Sequence, residues 1–120
     1  MYAAVVPAQN ESGRISIVLR NLLKVPFDFI IPVVNGCVDS TLQEVLDIKD
    51  NRIKPVFFVE PLGIDIPRAV GALYALSLDA KGIVFVDGDM IGDFQTHLFC
   101  LLSALDQGID LALVNCCLLY

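Results

Sequence analysis

Along the chain, short runs of Val, Ile, Phe and Leu alternate with segments in which apolar residues recur every three or four positions. Runs of the first kind occupy residues 2–7 (YAAVVP), 28–34 (DFIIPVV), 54–59 (KPVFFV), 82–86 (GIVFV) and 110–115 (DLALVN). They are short, rich in β-branched and aromatic residues and almost continuously apolar, the pattern of strands covered on both faces. The second kind begins with Ile15, Val18, Leu19, Leu22 and Leu23, one stripe at helical spacing that Pro26 closes. Another helix is predicted from DSTLQEVLDIK, where Ser40 and Gln43 have capping-box spacing and Leu42, Val45 and Leu46 are set to face inward. A third spans about 66–80 with Pro67 in its first turn. A fourth spans about 94–107, packs Leu98, Leu101, Leu102 and Leu105, and ends at Gly108. Pro32 cannot donate to a ladder, which predicts a bulge or a late start in the second strand.

Strands alternating with helices specify an α/β fold: three layers, a mostly parallel sheet of about five strands, and helices on both faces. With 120 residues and no repeat or linker, residues 1–120 read as a single domain. Parallel strands bring their C-terminal ends to one edge, where ligands bind in such folds. Polar turns follow the first four strands: PAQNE, NGCVDS, EPLGID and DGD.

Composition narrows the function. The chain is 56% hydrophobic and 18% charged, so it buries a large core or carries an apolar surface that awaits a partner. A net charge of −6 without a basic run argues against nucleic acid, whose affinity rests on neutralised phosphates. No apolar run approaches the roughly 20 residues that span a bilayer, and the start lacks a basic leader. A cytoplasmic chain is expected, membrane-associated only through a partner or a missing region. Cys37, Cys100, Cys116 and Cys117 show no CxxC spacing and read as reduced, mostly buried thiols. His97, in the fourth helix, reads as structural or surface.

Asp87 and Asp89 end the fourth strand one residue apart, where each raises the energy of the other's charge. A divalent cation resolves that conflict, and hard oxygen ligands suit Mg²⁺ or Mn²⁺, with phosphate oxygens and water completing the shell. Gly88 would let the backbone approach a ligand. Asp and Gly are also ordinary turn residues, so the triplet alone leaves a simple turn open.

In context, the sequence resembles the family 2 glycosyltransferases of the GT-A fold. The resemblance is carried by VVPAQNE at residues 5–11, VNGCVDST at 34–41, GIDIPRAVG at 63–71 and the DxD at 87–89, four motifs in order across nearly the whole chain. It implies a nucleotide-sugar-binding half in which Pro7, Ala8, Asn10 and Glu11 line the nucleotide pocket and Asp39 lies beside the base. It further implies that Asn35 belongs to the second turn of the pocket and that Arg68 holds the diphosphate or braces an aspartate. Asp87, with Gly88, would face ribose or metal, and Asp89 would be the main metal ligand. Helix-terminal roles also suit Glu11 and Asp39.

The pattern departs in places. Val34 and Asn35 stand where paired aspartates are common, and Ile64, Asp65 and Ile66 replace small residues. After Asp93 only Asp106 and Asp110 offer carboxylates, and they read as a helix end and a strand entry, so no general base is in view. The expectation is a metal-dependent transfer of sugar from a UDP- or GDP-type donor to an unknown acceptor, by a truncated transferase or one needing another chain. A homo-oligomer or partner contact is expected through the C-terminal edge. The rivals are a non-catalytic nucleotide-sugar-binding module and a sugar nucleotidyltransferase, the latter disfavoured because PAQNESGR lacks a glycine-rich basic phosphate loop.

Overall fold

The computed structural model describes residues 1–63, 65–90 and 94–110. Within them the elements run β1 (Tyr2–Ala8), α1 (Ile15–Leu22), β2 (Phe29–Asn35), α2 (Thr41–Asp47), β3 (Val56–Phe58), α3 (Asp65–Ser77), β4 (Gly82–Phe85) and α4 (Gln95–Asp106). The four described strands are all parallel, in the order β3-β2-β1-β4. The expected fifth strand at 110–115 falls outside the described residues beyond Asp110, which itself sits in a bend.

Strand alternation divides the core. Ala4, Val6, Ile30, Val34 and Val84 face α1, α2 and α4, meeting Leu19, Val45 and Leu98. Ala3, Val5, Ile31 and Val33 point the other way, toward α3, where Ala75 meets them. Gly71 explains how α3 comes so near: a Cβ there would lie 2.3 Å from a Val5 methyl. The three layers follow, with α3 alone on its face among the described residues. Its outer side shows Ile66, Leu73 and Leu76 to solvent, an apolar stripe of the kind the composition foretold.

Pro32 produces no bulge. It sits in unbroken register opposite Val6. Ile30 donates its N–H to Arg52 O on the β3 side and accepts from Lys54 N, so by the two-residue period the nitrogen of Pro32 also faces β3. There the ladder is interrupted, between the Ile30–Ile53 bridge and the Val33–Val56 pair. Pro32 has no N–H to give β3 there, and β3 begins at Val56 instead of the expected 54; by the same period the nitrogen of Pro55 points away from β2.

Other local expectations need correction. Ser40 occupies the N-cap of α2 without capping it through its side chain. Its hydroxyl is drawn to Glu44 (3.1 Å) and Ser12 (2.5 Å), while Gln43 bonds Asp47 at 2.8 Å. Asp39 Oδ1 accepts the Thr41 N–H instead, at 3.0 Å. Leu46 is exposed, because the buried face of this short helix is set by Thr41 and Val45. Cys100 is exposed and Cys37 half-buried, against the expectation of mostly buried thiols; Cys116 and Cys117 lie outside the described residues. His97 is half-buried on α4.

Arg52 closes α1 from a distance. Its guanidinium donates to Leu23 O at 2.7 Å, with longer contacts to Val25 O (3.4 Å) and Phe27 O (3.5 Å), and Asp50 steadies its base. Leu23 O is a carbonyl that the end of the helix leaves without a backbone donor, whereas Val25 O also accepts Phe27 N at 2.7 Å. Arg52→Ala is expected to destabilise the fold by about 1–2 kcal/mol, one charge-assisted bond and two weak ones. Urea denaturation of the variant checks this.

Candidate functional site at the C-terminal edge of the sheet

The parallel order places Ala8, Asn35, Phe58 and Phe85 at one edge, and the turns that follow them meet there. The loop after β1 is tightly held. Asn10 adopts φ 54°, a left-handed conformation open to Asn, and its Oδ1 accepts Val38 N at 2.9 Å. The next three backbone amides all donate to side chains of the β2–α2 unit. Glu11 N bonds Thr41 Oγ1 (2.8 Å), Ser12 N bonds Asp39 Oδ2 (3.1 Å), and Gly13 N reaches both oxygens of Glu44 (3.0 and 2.8 Å). Successive free amides are what a phosphate-cradling loop presents. Here they are occupied. Glu11 is itself ion-paired with Arg14, Oε2 to Nε at 2.8 Å, and its carbonyl opens α1 by accepting from Arg14 and Ile15.

The end of β2 is a buried junction. Asn35, 1% exposed, donates through Nδ2 to Ala8 O (3.3 Å) and accepts Leu62 N at Oδ1 (3.1 Å). It joins β1, β2 and the loop before α3, and both ends of its amide are engaged by protein. Gly36 follows at φ 58°, and a Cβ on it would lie 2.4 Å from Pro61 N. The half-buried Cys37 lies beside these groups, its sulfur accepting Asn10 N at 3.3 Å.

The DGD turn closes the edge. Gly88 is buried, and a Cβ on it would lie 3.1 Å from Pro7 O, 3.2 Å from Ala8 Cβ and 3.4 Å from Glu11 Cγ. Its lack of a side chain therefore seats the turn against the end of β1. Asp87 and Asp89 are exposed. From α3, Arg68 Nη2 approaches Asp87 Oδ1 at 3.5 Å, the outer limit of a hydrogen bond. Arg68 Nε is buried and has no hydrogen-bond partner among the described residues.

Proton affinities follow these contacts. The Thr41 hydroxyl, with the Thr41 and Ser12 amides, holds the Asp39 carboxyl below the usual range. The Gly13 amide and then the Ser12 hydroxyl do the same for Glu44. Because both folded-state values are depressed, the stability these carboxylates confer is complete above the ordinary carboxylate range of roughly 4. It is lost as pH falls through their lowered values.

Among the described residues no group of three or more His, Cys, Asp or Glu side chains is placed to hold a metal ion. Two exposed carboxylates at a strand end still fit a magnesium-type site, which takes one or two protein oxygens and draws the rest from phosphates and water. The structure thus gathers Pro7, Ala8, Glu11, Gly88, Asp87 and Arg68 around one turn, with Asn10 and Asp39 beside them in the β1–α1 contact. Asn35 lies beneath, buried. Glu44 and Thr41 belong to the same assembly and were missed from sequence; their partners are about thirty residues away, beyond any local pattern. A separate groove, lined by Tyr2, Leu76, Ile83, Phe85 and Ile109 among others, starts from the opposite end of the strands.

No family model matches the sequence, and no curated protein matches it. Solved structures do match in fold. The crystal structure of TarS from S. aureus, a glycosyltransferase, aligns over 96% of this chain with a TM-score of 0.67 and 21% identity. The chain spans 23% of the length of TarS. The fold is α/β, its four described strands parallel and lying between helices. No described helix is long and apolar enough to cross a membrane.

Proposed function

We propose that this chain is the donor-binding part of a metal-dependent glycosyltransferase of the family 2 type. The observation that supports it best is the meeting of Arg68 on α3 with the DGD turn, itself seated on Pro7 and Ala8. A guanidinium whose buried Nε has no partner among the described residues, and whose Nη2 makes one long contact among them, is poised for an anion, and a diphosphate offers oxygens in the geometry it prefers. Asp87 and Asp89 would hold Mg²⁺ or Mn²⁺, which when bound supplies positive charge against the diphosphate. Asn10 and Glu11 border the space for the nucleoside, with Asp39 behind them. A sugar nucleotidyltransferase is disfavoured, because the loop after β1 has its amides at residues 11–13 engaged by side chains. The sugar acceptor, and a second copy or partner chain meeting the C-terminal edge, which lies outside the described residues beyond Asp110, belong to the same proposal.

Titration calorimetry with UDP- and GDP-sugars tests it. Binding is expected with Mn²⁺ and lost in EDTA. Asp89→Asn should remove most of the metal dependence and leave the fold intact, since that side chain is exposed. Arg68→Ala should weaken binding about tenfold, one charge-assisted contact. Arg20→Ala, an exposed position on α1, should leave it unchanged. Equal affinity in EDTA and Mn²⁺ would refute the metal; equal behaviour of the two arginine variants would refute the role of Arg68.

A further inference from the structure

We propose that Glu44 is a positioning residue for the nucleotide pocket, fixing the register of the loop Asn10–Gly13 against α2; this rests on the donor-binding reading above. Three observations converge on it. The N-terminus of α1 has no cap of its own: Arg14 occupies the N-cap without a side-chain bond, and no acidic residue lies in the first turn. Glu44, from a different βα unit, supplies what is missing. Its carboxylate takes the Gly13 amide with both oxygens and the Ser12 hydroxyl at 2.8 Å, placing negative charge where an α-helix start favours it.

Second, Glu44 is the last of three consecutive ties, after Thr41 to Glu11 and Asp39 to Ser12. Those ties hold three successive amides of the loop, each on a different side chain of the β2–α2 unit, so a shift of the loop by one residue would break all three. Third, the loop is bracketed by left-handed residues, Asn10 at φ 54° and Gly13 at φ 80°. No Cβ contact would restrain Gly13, since nothing lies within 4 Å of that position. Without Glu44 the Gly13 end of the loop keeps only the ties of Ser12 to Asp39 and Ser40, while Glu11, whose Cγ backs the DGD turn near Gly88, is carried on it. The charged groups nearby are Arg14, which bonds Glu11 and Asn10 O, and Asp39; none of them bonds Glu44.

The reading predicts reciprocity: if Glu44 orders the loop for the nucleotide, the nucleotide must order the loop in return. Amide hydrogen exchange at Ser12 and Gly13, by NMR, is measured on the whole chain as wild type, Glu44→Ala and Glu44→Gln, each with and without UDP and Mn²⁺. Calorimetry on the same samples gives Kd. Glu44→Ala is expected to speed exchange at Gly13 at least tenfold and to raise Kd three- to tenfold. Exchange at Ile31 in the central strand should not change, and nucleotide should slow Gly13 exchange in the wild type. Glu44→Gln, which keeps one acceptor oxygen, should fall between. Faster Gly13 exchange with an unchanged Kd would overturn the positioning role while leaving donor binding standing. A wild-type chain that binds no nucleotide would overturn both, and unchanged Gly13 exchange in Glu44→Ala would show that the tie itself carries no weight.

Discussion

Asn35→Asp is expected to destabilise the fold by about 3 kcal/mol at neutral pH. One oxygen of the new carboxylate keeps the bond from Leu62 N. The other, in place of Nδ2, faces the carbonyl oxygen of Ala8 from 3.3 Å with no hydrogen between them, at a site 1% exposed. Burial and that repulsion raise the folded-state pKa of the carboxyl above its unfolded value. Protonation restores a donor, so the deficit is full at neutral pH and shrinks as pH falls through the raised value. Asn35→Ala, which leaves Leu62 N without its acceptor at any pH, should show a loss of about 2 kcal/mol without that recovery. Urea denaturation of both variants at two pH values checks the sign. An Asn35→Asp chain as stable as the wild type at pH 7 would mean that the junction is not held by this amide.

Gly36→Ala should be about as damaging, on the order of 3 kcal/mol, from two sources. At φ 58° any residue with a Cβ is strained, and this Cβ would meet backbone atoms of Pro61 at 2.4 and 2.5 Å rather than a side chain that can turn aside. Gly63→Ala separates the two sources, because φ is 77° there while nothing lies within 4 Å of the added atom. It should cost about 1 kcal/mol, the conformational part alone. Thermal denaturation of the pair gives the difference, and equal losses would deny the clash with Pro61. Since Pro61 begins the segment that leads to α3, the same substitution should loosen the approach of Arg68 to Asp87.

The first four strands and the stripe of α1 were legible because near-continuous β-branched runs and a period of 3.6 are local properties of the chain. So was the edge where chemistry collects, since parallel pairing dictates that Ala8, Asn35 and Phe85 end together. What lay hidden depends on residues brought together by the fold. Ser40 and Gln43 had capping-box spacing, but Ser12, arriving from the β1 loop, competes for the serine. Glu44 reads as one more charge on a short helix until Gly13 is placed beside it. Arg52 reads as a turn residue until the carbonyls of Leu23, Val25 and Phe27 surround it. Gly88 also lies against Pro7 and Ala8, a packing demand that a DxD motif does not announce.

Pro32 has a meaning for the sheet's outer boundary. Strands at the margin of a sheet invite pairing with foreign chains, and a short strand or a proline blunts that invitation. β3 has both: it pairs over only three residues, Pro55 precedes them, and Pro32 on its neighbour sits at the break. A growing fibril approaching from this side would find no long, regular row of donors and acceptors to copy. For a chain that is 56% hydrophobic, resistance to edge-on aggregation at this margin rests on two imino acids whose positions look, in the linear pattern, like flaws in a strand.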